Sequence, residues 1–115
     1  MNAAQIILAV SSQAFPLEAC GLVLRGGGVV VGKNRSTNPL VSFHLDDKTA
    51  SLVHTGLVTA VWHSHPNAGP EPSEDDERWA VSGLEYWIYS VPQRELGKYR
   101  LAPSGGLSLI LLEEH

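Results

Sequence analysis

The chain has 115 residues, of which 43% are hydrophobic and 17% charged, as expected for one ordinary globular domain. Eight Lys and Arg against 12 Asp and Glu give a formal net charge of −4, and no basic stripe of the kind that binds nucleic acid is visible. The longest apolar runs are far shorter than the roughly 20 residues of a membrane helix, so we expect no membrane partner. With no basic signal segment and a single cysteine, the sequence predicts a cytoplasmic domain without disulfides.

The N-terminal half predicts a helix followed by a hairpin. Apolar residues recur at a helical spacing over Asn2–Ala14, and a proline then ends the helix. Ala19–Leu24 is typical of a buried strand, and a glycine-rich turn leads from it into a return strand over Val29–Lys33. A loop with a short strand around Val41–Phe43 and a helix over Asp46–Thr55 complete this half.

The C-terminal half begins with the most strand-like segment, Leu57–His65, which is rich in β-branched residues and is followed by a proline. A helix is predicted over Ser73–Ser82, because it starts with a serine N-cap and acidic residues, with Gly83 as its C-cap. Further strands are predicted over Glu85–Val91 and Gly106–Leu112. We therefore expect a single compact α/β domain, a mixed central sheet flanked by two or three helices.

Two histidines at the end of the predicted central strand carry the strongest chemical signal. Side chains at positions i and i+2 of a strand point to the same face, so His63 and His65 present both imidazoles to one side. A loop then leads to a helix start, where Asp76 lies one turn after the N-cap. Two imidazoles and a carboxylate are usual ligands of a catalytic zinc ion that keeps a fourth position for water. The spacing is therefore compatible with a His/His/Asp metal site.

These residues form a longer pattern. Pro66 follows the two histidines, Ser73 precedes Asp76 by three positions, and Asp76 comes eleven positions after His65. This His-x-His-Pro and Ser-x-x-Asp pattern resembles the motif of the JAMM (MPN-plus) metalloprotease family, whose upstream Pro-x-Glu-x-Cys-Gly segment is matched by Pro16–Gly21. The resemblance covers almost the whole chain. Within the family, the chain is similar to prokaryotic and phage members. These include the peptidase-like domain of phage tail-assembly proteins and bacterial members that act on ubiquitin-like sulfur carriers.

The resemblance implies a fold, a cofactor and a role for each matched residue. The fold would be that of a JAB/MPN domain, which is cytidine-deaminase-like, with residues 1–115 as one domain. One Zn²⁺ per chain would be bound by His63, His65 and Asp76. Glu18 would act as general base and then general acid, and Ser73 would hydrogen-bond the tetrahedral oxyanion. The implied activity is metal-assisted hydrolysis of a peptide or isopeptide bond.

The implied partners follow from that activity. The substrate would be a peptide or a ubiquitin-like protein, processed in the cytoplasm or in association with the virion during phage assembly. Gly32–Phe43 and Asn67–Pro72 are too short to clamp a folded partner, so we expect an extended peptide segment beside an exposed strand edge. The alternative is a non-catalytic module that keeps the JAB/MPN fold and binds an assembly partner. A deaminase is disfavoured because it needs a two-cysteine cluster.

The residues in and near the motif also allow structural roles and alternative assignments. Ser73 and Asp76 have the spacing of a helix capping box, a role that can coexist with catalysis or replace it. Asp75 is an alternative metal ligand to Asp76, and Glu71 and Glu74 lie nearer the motif than the upstream glutamate, which only the resemblance singles out.

The remaining candidates are assigned to the core. Cys20 lies within an apolar run and is expected to be a small buried hydrophobe rather than a nucleophile. Trp62 faces away from the two histidines and is expected in the core. For Trp79, Tyr86 and Trp87 we favour packing over a substrate groove. His44 and His54 have no partner at a ligand spacing.

Overall fold

The computed structural model describes residues 1–115 and contains one mixed sheet of six strands. The sheet order is β2-β1-β3-β4-β5-β6, in which β3 and β4 run parallel and all other neighbours run antiparallel. This architecture confirms the predicted α/β fold with its mixed sheet. The elements in chain order are α1 (Ala3–Ala14), β1 (Cys20–Leu24), β2 (Val29–Val31), α2 (Asp47–Ala50), a 3-10 helix (Ser51–Thr55), β3 (Val58–His65), α3 (Glu74–Arg78), β4 (Glu85–Ser90), β5 (Glu95–Leu101) and β6 (Leu107–Glu114).

Helix α1 covers one face of the sheet. It begins at a capping box, in which the Asn2 side chain accepts from the backbone N–H of Gln5 and the Gln5 side chain accepts from that of Asn2. Burying a large apolar side chain contributes roughly 1.5–3 kcal/mol, so the cluster beneath α1 is a main source of stability. It consists of Ala4, Ile7, Ala19, Val23, Ala60, Trp62, Trp87, Tyr89 and Leu96.

The opposite face of the sheet is covered by the segment between β2 and β3. Leu22 and Val61, which are paired across β1 and β3, pack there against Phe43, Leu45 and Leu52. Because side chains alternate along β3, the residues at positions 63 and 65 share the face of Val61, whereas Trp62 lies in the core on the other face. Any site built on the two histidines therefore lies on this second face.

One predicted helix is shorter in the structure, because a backbone N–H beyond its end bonds to a side chain instead. Helix α3 ends at Arg78 rather than Ser82, since the N–H of Val81 donates to the hydroxyl of Tyr86 at 2.7 Å. Gly83 is not the helix C-cap, and its φ of +91° lies in the turn before β4.

Three further elements differ between prediction and structure: one predicted strand is absent, one predicted helix is divided into two, and one strand was not predicted. The predicted strand at Val41–Phe43 is a turn in which the N–H of Val41 donates to the carbonyl of Asn38. The predicted helix over Asp46–Thr55 is divided into α2 and the 3-10 helix. Strand β5, which the sequence did not predict, joins β4 to β6.

Strands β2 and β6 form the two edges of the sheet. Four consecutive apolar side chains of β6, Leu109–Leu112, are each more than 40% exposed. None of the helices combines the length and apolar character needed to cross a membrane.

Gly21 provides a test of the packing of β1 against its two neighbouring strands, β2 and β3. A Cβ built on Gly21 would meet the carbonyl oxygen of Val30 and would lie 2.7 Å from Nε1 of Trp62. Overpacking of a core costs about 1–3 kcal/mol, so Gly21→Ala should lower the free energy of unfolding by about 2–3 kcal/mol in urea denaturation. In the control Gly28→Ala the new Cβ would meet only Leu24 at 3.7 Å, and stability should change by less than about 1 kcal/mol. Equal stabilities of the two variants would contradict the packing described.

Candidate metal centre

The end of β3 brings two imidazoles together. His63 and His65 are both buried, with exposed fractions of 3% and 8%. Their Nε2 atoms lie 3.2 Å apart, as expected for neighbouring side chains on one face of a strand. The ring of Phe43 stacks on that of His63 with the centroids 4.4 Å apart, and it covers this imidazole on the side of the segment between β2 and β3.

The connection from β3 to β4 brings a carboxylate to the same place. Parallel neighbours need a crossover, so the chain leaves the histidine end of β3 and carries α3 before it returns to start β4. Ser73 caps α3: its Oγ accepts from the N–H of Asp76 at 3.1 Å, and Oδ2 of Asp76 accepts from the N–H of Ser73 at 2.9 Å. The cap therefore fixes the orientation of the Asp76 side chain.

The carboxylate held by this cap faces both imidazoles. Oδ1 of Asp76 lies 3.2 Å from Nε2 of His63, and its Oδ2 lies 3.3 Å from Nε2 of His65. Asp75, the alternative ligand, is exposed and lies 3.6 Å from Arg78 instead. The structure thus brings together the two histidines and Asp76, and it leaves Asp75 outside.

The spacing of these three donors suits a small divalent cation. Ligand bonds of about 2.0–2.1 Å at a tetrahedral zinc ion place neighbouring ligand atoms about 3.3–3.4 Å apart. The donor atoms here are separated by 3.2–3.3 Å along the closest pairs. Nδ1 of His65 donates to the carbonyl oxygen of Gly69 at 2.8 Å, which leaves the lone pair of Nε2 directed toward the other two ligands. The residues present therefore fit a metal ion, and imidazole and carboxylate are ligands that zinc accepts.

The protonation of the group reflects its burial and its mutual contacts. Burial lowers the pKa of His63, which favours the neutral imidazole that a metal needs. Burial opposes ionisation of Asp76, but its hydrogen bonds with the two histidines hold the pKa of this carboxyl well below its usual range. For His65 burial also acts against the charge, yet the hydrogen bonds to Asp76 and Gly69 outweigh it and raise its pKa. A positive charge is therefore favourable between these donors.

Glu18 lies at the same end of the sheet. Because β1 runs antiparallel to β3 with Cys20 opposite His63, the residue two positions before Cys20 comes level with the end of β3. Glu18 is only 6% exposed, and burial raises the pKa of its carboxyl to about 7, an effect that the charge of His65 partly offsets and that of Asp76 reinforces.

The backbone of Glu18 is held from both sides. Its N–H donates to the carbonyl of Pro39 at 2.7 Å, and its carbonyl accepts from Nδ2 of Asn34 at 2.9 Å. Sequence reasoning missed Asn34, because a lone asparagine in a loop carries no spacing signal. Glu71 and Glu74, which are nearer the motif in sequence, are both exposed.

The other candidate residues are distributed between core and surface. Cys20 is 1% exposed, and burial raises the pKa of its thiol to about 12, so it is not an activated nucleophile. Trp87 belongs to the core, with Nζ of Lys98 4.0 Å above its ring. Tyr86 is partly buried and packs on the second face. Trp79 is 75% exposed, so the prediction that it packs is wrong.

Comparison with known proteins identifies the family. A model of the prokaryotic homologs of the JAB domain matches residues 2–102, and the chain therefore belongs to this family. The chain is also similar to the tail tip assembly protein K of Escherichia phage N15, with 34% identity over 109 residues. That alignment covers 90% of this chain and 44% of the phage protein, so the chain spans less than half of the length of this relative.

The choice between the two neighbouring aspartates can be tested by metal affinity. Asp76→Asn removes the carboxylate that faces both imidazoles, whereas Asp75→Asn changes an exposed side chain of the same type. We expect Asp76→Asn to weaken zinc binding by more than the roughly 10–100-fold cost of losing a residue that merely orients a ligand. Asp75→Asn should bind zinc like the unchanged chain in competition titrations with a chromogenic chelator. The opposite order would exclude Asp76 as the ligand.

Proposed function

We propose that this JAB-family domain is a zinc-dependent peptidase or isopeptidase that hydrolyses its substrate without a covalent enzyme intermediate. The observation that carries the proposal is the convergence of three ligand atoms of His63, His65 and Asp76 at separations of 3.2–3.3 Å. Support also comes from the buried carboxyl of Glu18 at the same end of the sheet. Structural zinc sites are normally closed by four protein ligands, whereas three ligands leave a position for water or substrate.

In this proposal one zinc ion is bound by His63, His65 and Asp76. Such an ion lowers the pKa of a bound water from about 15.7 toward about 7 and polarises the substrate carbonyl. The protein's part is to hold its ligands in the state that binds metal. The bond from Nδ1 of His65 to the carbonyl of Gly69 selects the tautomer, and the serine cap of α3 orients the carboxylate.

Glu18 is the proposed general base and general acid. In the chain without metal, burial raises the pKa of this carboxyl to about 7, and a cation bound beside it would lower the pKa and favour the ionised form that accepts a proton. Its carboxylate oxygen would take a proton from the attacking water and later give it to the nitrogen of the leaving amine. The bonds from Asn34 and to Pro39 hold its backbone for this task.

Ser73 is the proposed donor to the developing oxyanion. Its Oγ accepts from the N–H of Asp76, and this use of a lone pair leaves the hydroxyl hydrogen available to a substrate. Capping and catalysis are therefore compatible at this residue. Loss of one oxyanion donor costs about 10²–10³ in turnover in other hydrolases.

The proposed substrate is an extended peptide segment, and the proposed setting is phage tail assembly. The similarity to a tail tip assembly protein supports this setting. The second candidate is an assembly module that binds a partner without hydrolysis. The capping box favours this second candidate, because helix capping alone would explain the presence of Ser73 and Asp76.

Hydrolysis can be tested without knowledge of the substrate. The zinc-loaded chain is incubated with a proteome-derived peptide library and with phage tail proteins in water enriched in ¹⁸O, and new termini are identified by mass spectrometry. Hydrolysis places one ¹⁸O atom in each new carboxyl terminus. We expect such termini with the unchanged chain and a loss of at least about 10²-fold in Glu18→Gln, which lacks the proton carrier but keeps the three ligands.

Glu18→Gln should keep the zinc content of the unchanged chain, and Glu74→Gln, a change of an exposed glutamate, should keep the activity. If the zinc-loaded chain produces no new termini from either source, the assembly module is the better account. If Glu18→Gln loses its metal, Glu18 is a ligand or a structural residue rather than the base.

A further inference from the structure

The loop between β3 and α3 is held by side-chain hydrogen bonds to consecutive backbone carbonyls. Three consecutive backbone carbonyls of this loop, those of residues 68–70, each accept a hydrogen bond from a side chain. Oγ of Ser90 donates to Ala68 at 2.6 Å, Nδ1 of His65 donates to Gly69 at 2.8 Å, and the hydroxyl of Tyr99 donates to Pro70 at 2.7 Å.

Two of these donors come from strands that carry no proposed ligand. Ser90 ends β4 and is paired in parallel register with His65, so its hydroxyl lies beside the point where the loop begins. Tyr99 lies on β5, one strand further away, and reaches the loop with its hydroxyl. Ser90 and Tyr99 are 0% and 5% exposed; the bond from Tyr99 to Pro70 is buried, and the bond from Ser90 to Ala68 is partly buried.

The loop is the covalent link between the two halves of the candidate metal centre. Residues 66–72 connect the histidines at the end of β3 to Ser73, which caps α3 and orients Asp76. They form no helix or strand of their own, so their path depends on the bonds that the loop makes to its surroundings. A shift of the loop would move the carbonyl of Gly69 away from His65 and the carboxylate away from both imidazoles.

We propose that Ser90 and Tyr99 are positioning residues of the metal centre, which fix the loop so that the Gly69 carbonyl and the Asp76 carboxylate meet the histidines at ligand distances. The inference rests on the proposed function insofar as it requires a metal at this site. It adds two residues that belong to neither the His-x-His-Pro nor the Ser-x-x-Asp pattern. Outer residues that orient a ligand typically change metal affinity by about 10–100-fold.

Tyr99→Phe tests the inference with minimal change, because it removes the hydroxyl bond to Pro70 and keeps the ring. The matched control is Tyr89→Phe, in which the hydroxyl removed belongs to a tyrosine in the cluster beneath α1, on the other face of the sheet. The probe is Co²⁺, whose visible absorption reports both occupancy and coordination geometry. The dissociation constant, the absorption spectrum and the melting temperature of the metal-free form are measured for all three proteins.

We expect Tyr99→Phe to bind Co²⁺ about 10-fold more weakly than the unchanged chain, with an altered absorption spectrum, whereas Tyr89→Phe keeps both. Ser90→Ala should weaken binding in the same direction, because it removes the bond to Ala68 and the acceptor for the N–H of Gln93. A purely structural role would lower the melting temperature of Tyr99→Phe and leave its affinity and spectrum equal to those of the control.

The failure of this inference and that of the proposed function give different results. If the unchanged chain binds Co²⁺ and Tyr99→Phe matches the Tyr89→Phe control in affinity and spectrum, the positioning role is overturned and the metal site stands. If the unchanged chain binds no Co²⁺, both are overturned.

Discussion

Three electron-pair donors crowded into one small space are the constraint on which the rest of the structure depends. Nε2 of His63, Nε2 of His65 and the carboxylate of Asp76 lie within 3.3 Å of one another at their closest atoms, in largely buried positions. Such donors repel one another unless a positive charge lies between them, and burial makes the repulsion stronger. A proton on one of the imidazoles provides part of that charge, and a divalent cation bound by all three donors would provide more of it.

The sheet topology brings the donors and the proposed base to one place. The end of β3 carries the histidines, the antiparallel strand β1 begins beside it after Glu18, and the parallel strand β4 requires a crossover whose first turn of helix carries Asp76. Three separate passes of the chain therefore contribute to the centre. The same arrangement places the larger apolar cluster beneath α1 on the opposite face, whereas the candidate metal centre shares its face with the smaller cluster around Leu22 and Val61.

Much of the fold could be predicted from local sequence, because the start of a helix and the alternation of a strand depend on residues close together in the chain. The alternation along β3 and the serine start of α3 depend on neighbours within a few residues, and both are present in the structure. The length of α3 could not be predicted, because the N–H of Val81 donates to the hydroxyl of Tyr86 instead of continuing the helix, and this partner lies on another element. β5 was missed because Gly97 and several charged residues interrupt its apolar pattern, and Lys98 contributes by packing over a tryptophan ring.

For the centre itself, the sequence predicted the donors and the serine cap that orients Asp76, but not the bonds from distant residues. The spacing of His63, His65 and Asp76 indicated a metal site, and the resemblance to a metalloprotease motif implied catalytic roles for Glu18 and Ser73. The bonds that hold the loop and the backbone of Glu18 come from residues distant in sequence, so no spacing indicates them. Asn34, Ser90 and Tyr99 emerge only when the strands are assembled.

Metal content is the most direct test of the central claim, that this group of residues binds a catalytic zinc ion. The chain is purified without chelator, and its zinc is measured by elemental analysis beside a His63→Ala variant of confirmed folding. The account predicts about one zinc per chain in the unchanged protein and almost none in the variant. No bound metal and no tight uptake of zinc on titration, or equal zinc in both proteins, would contradict it.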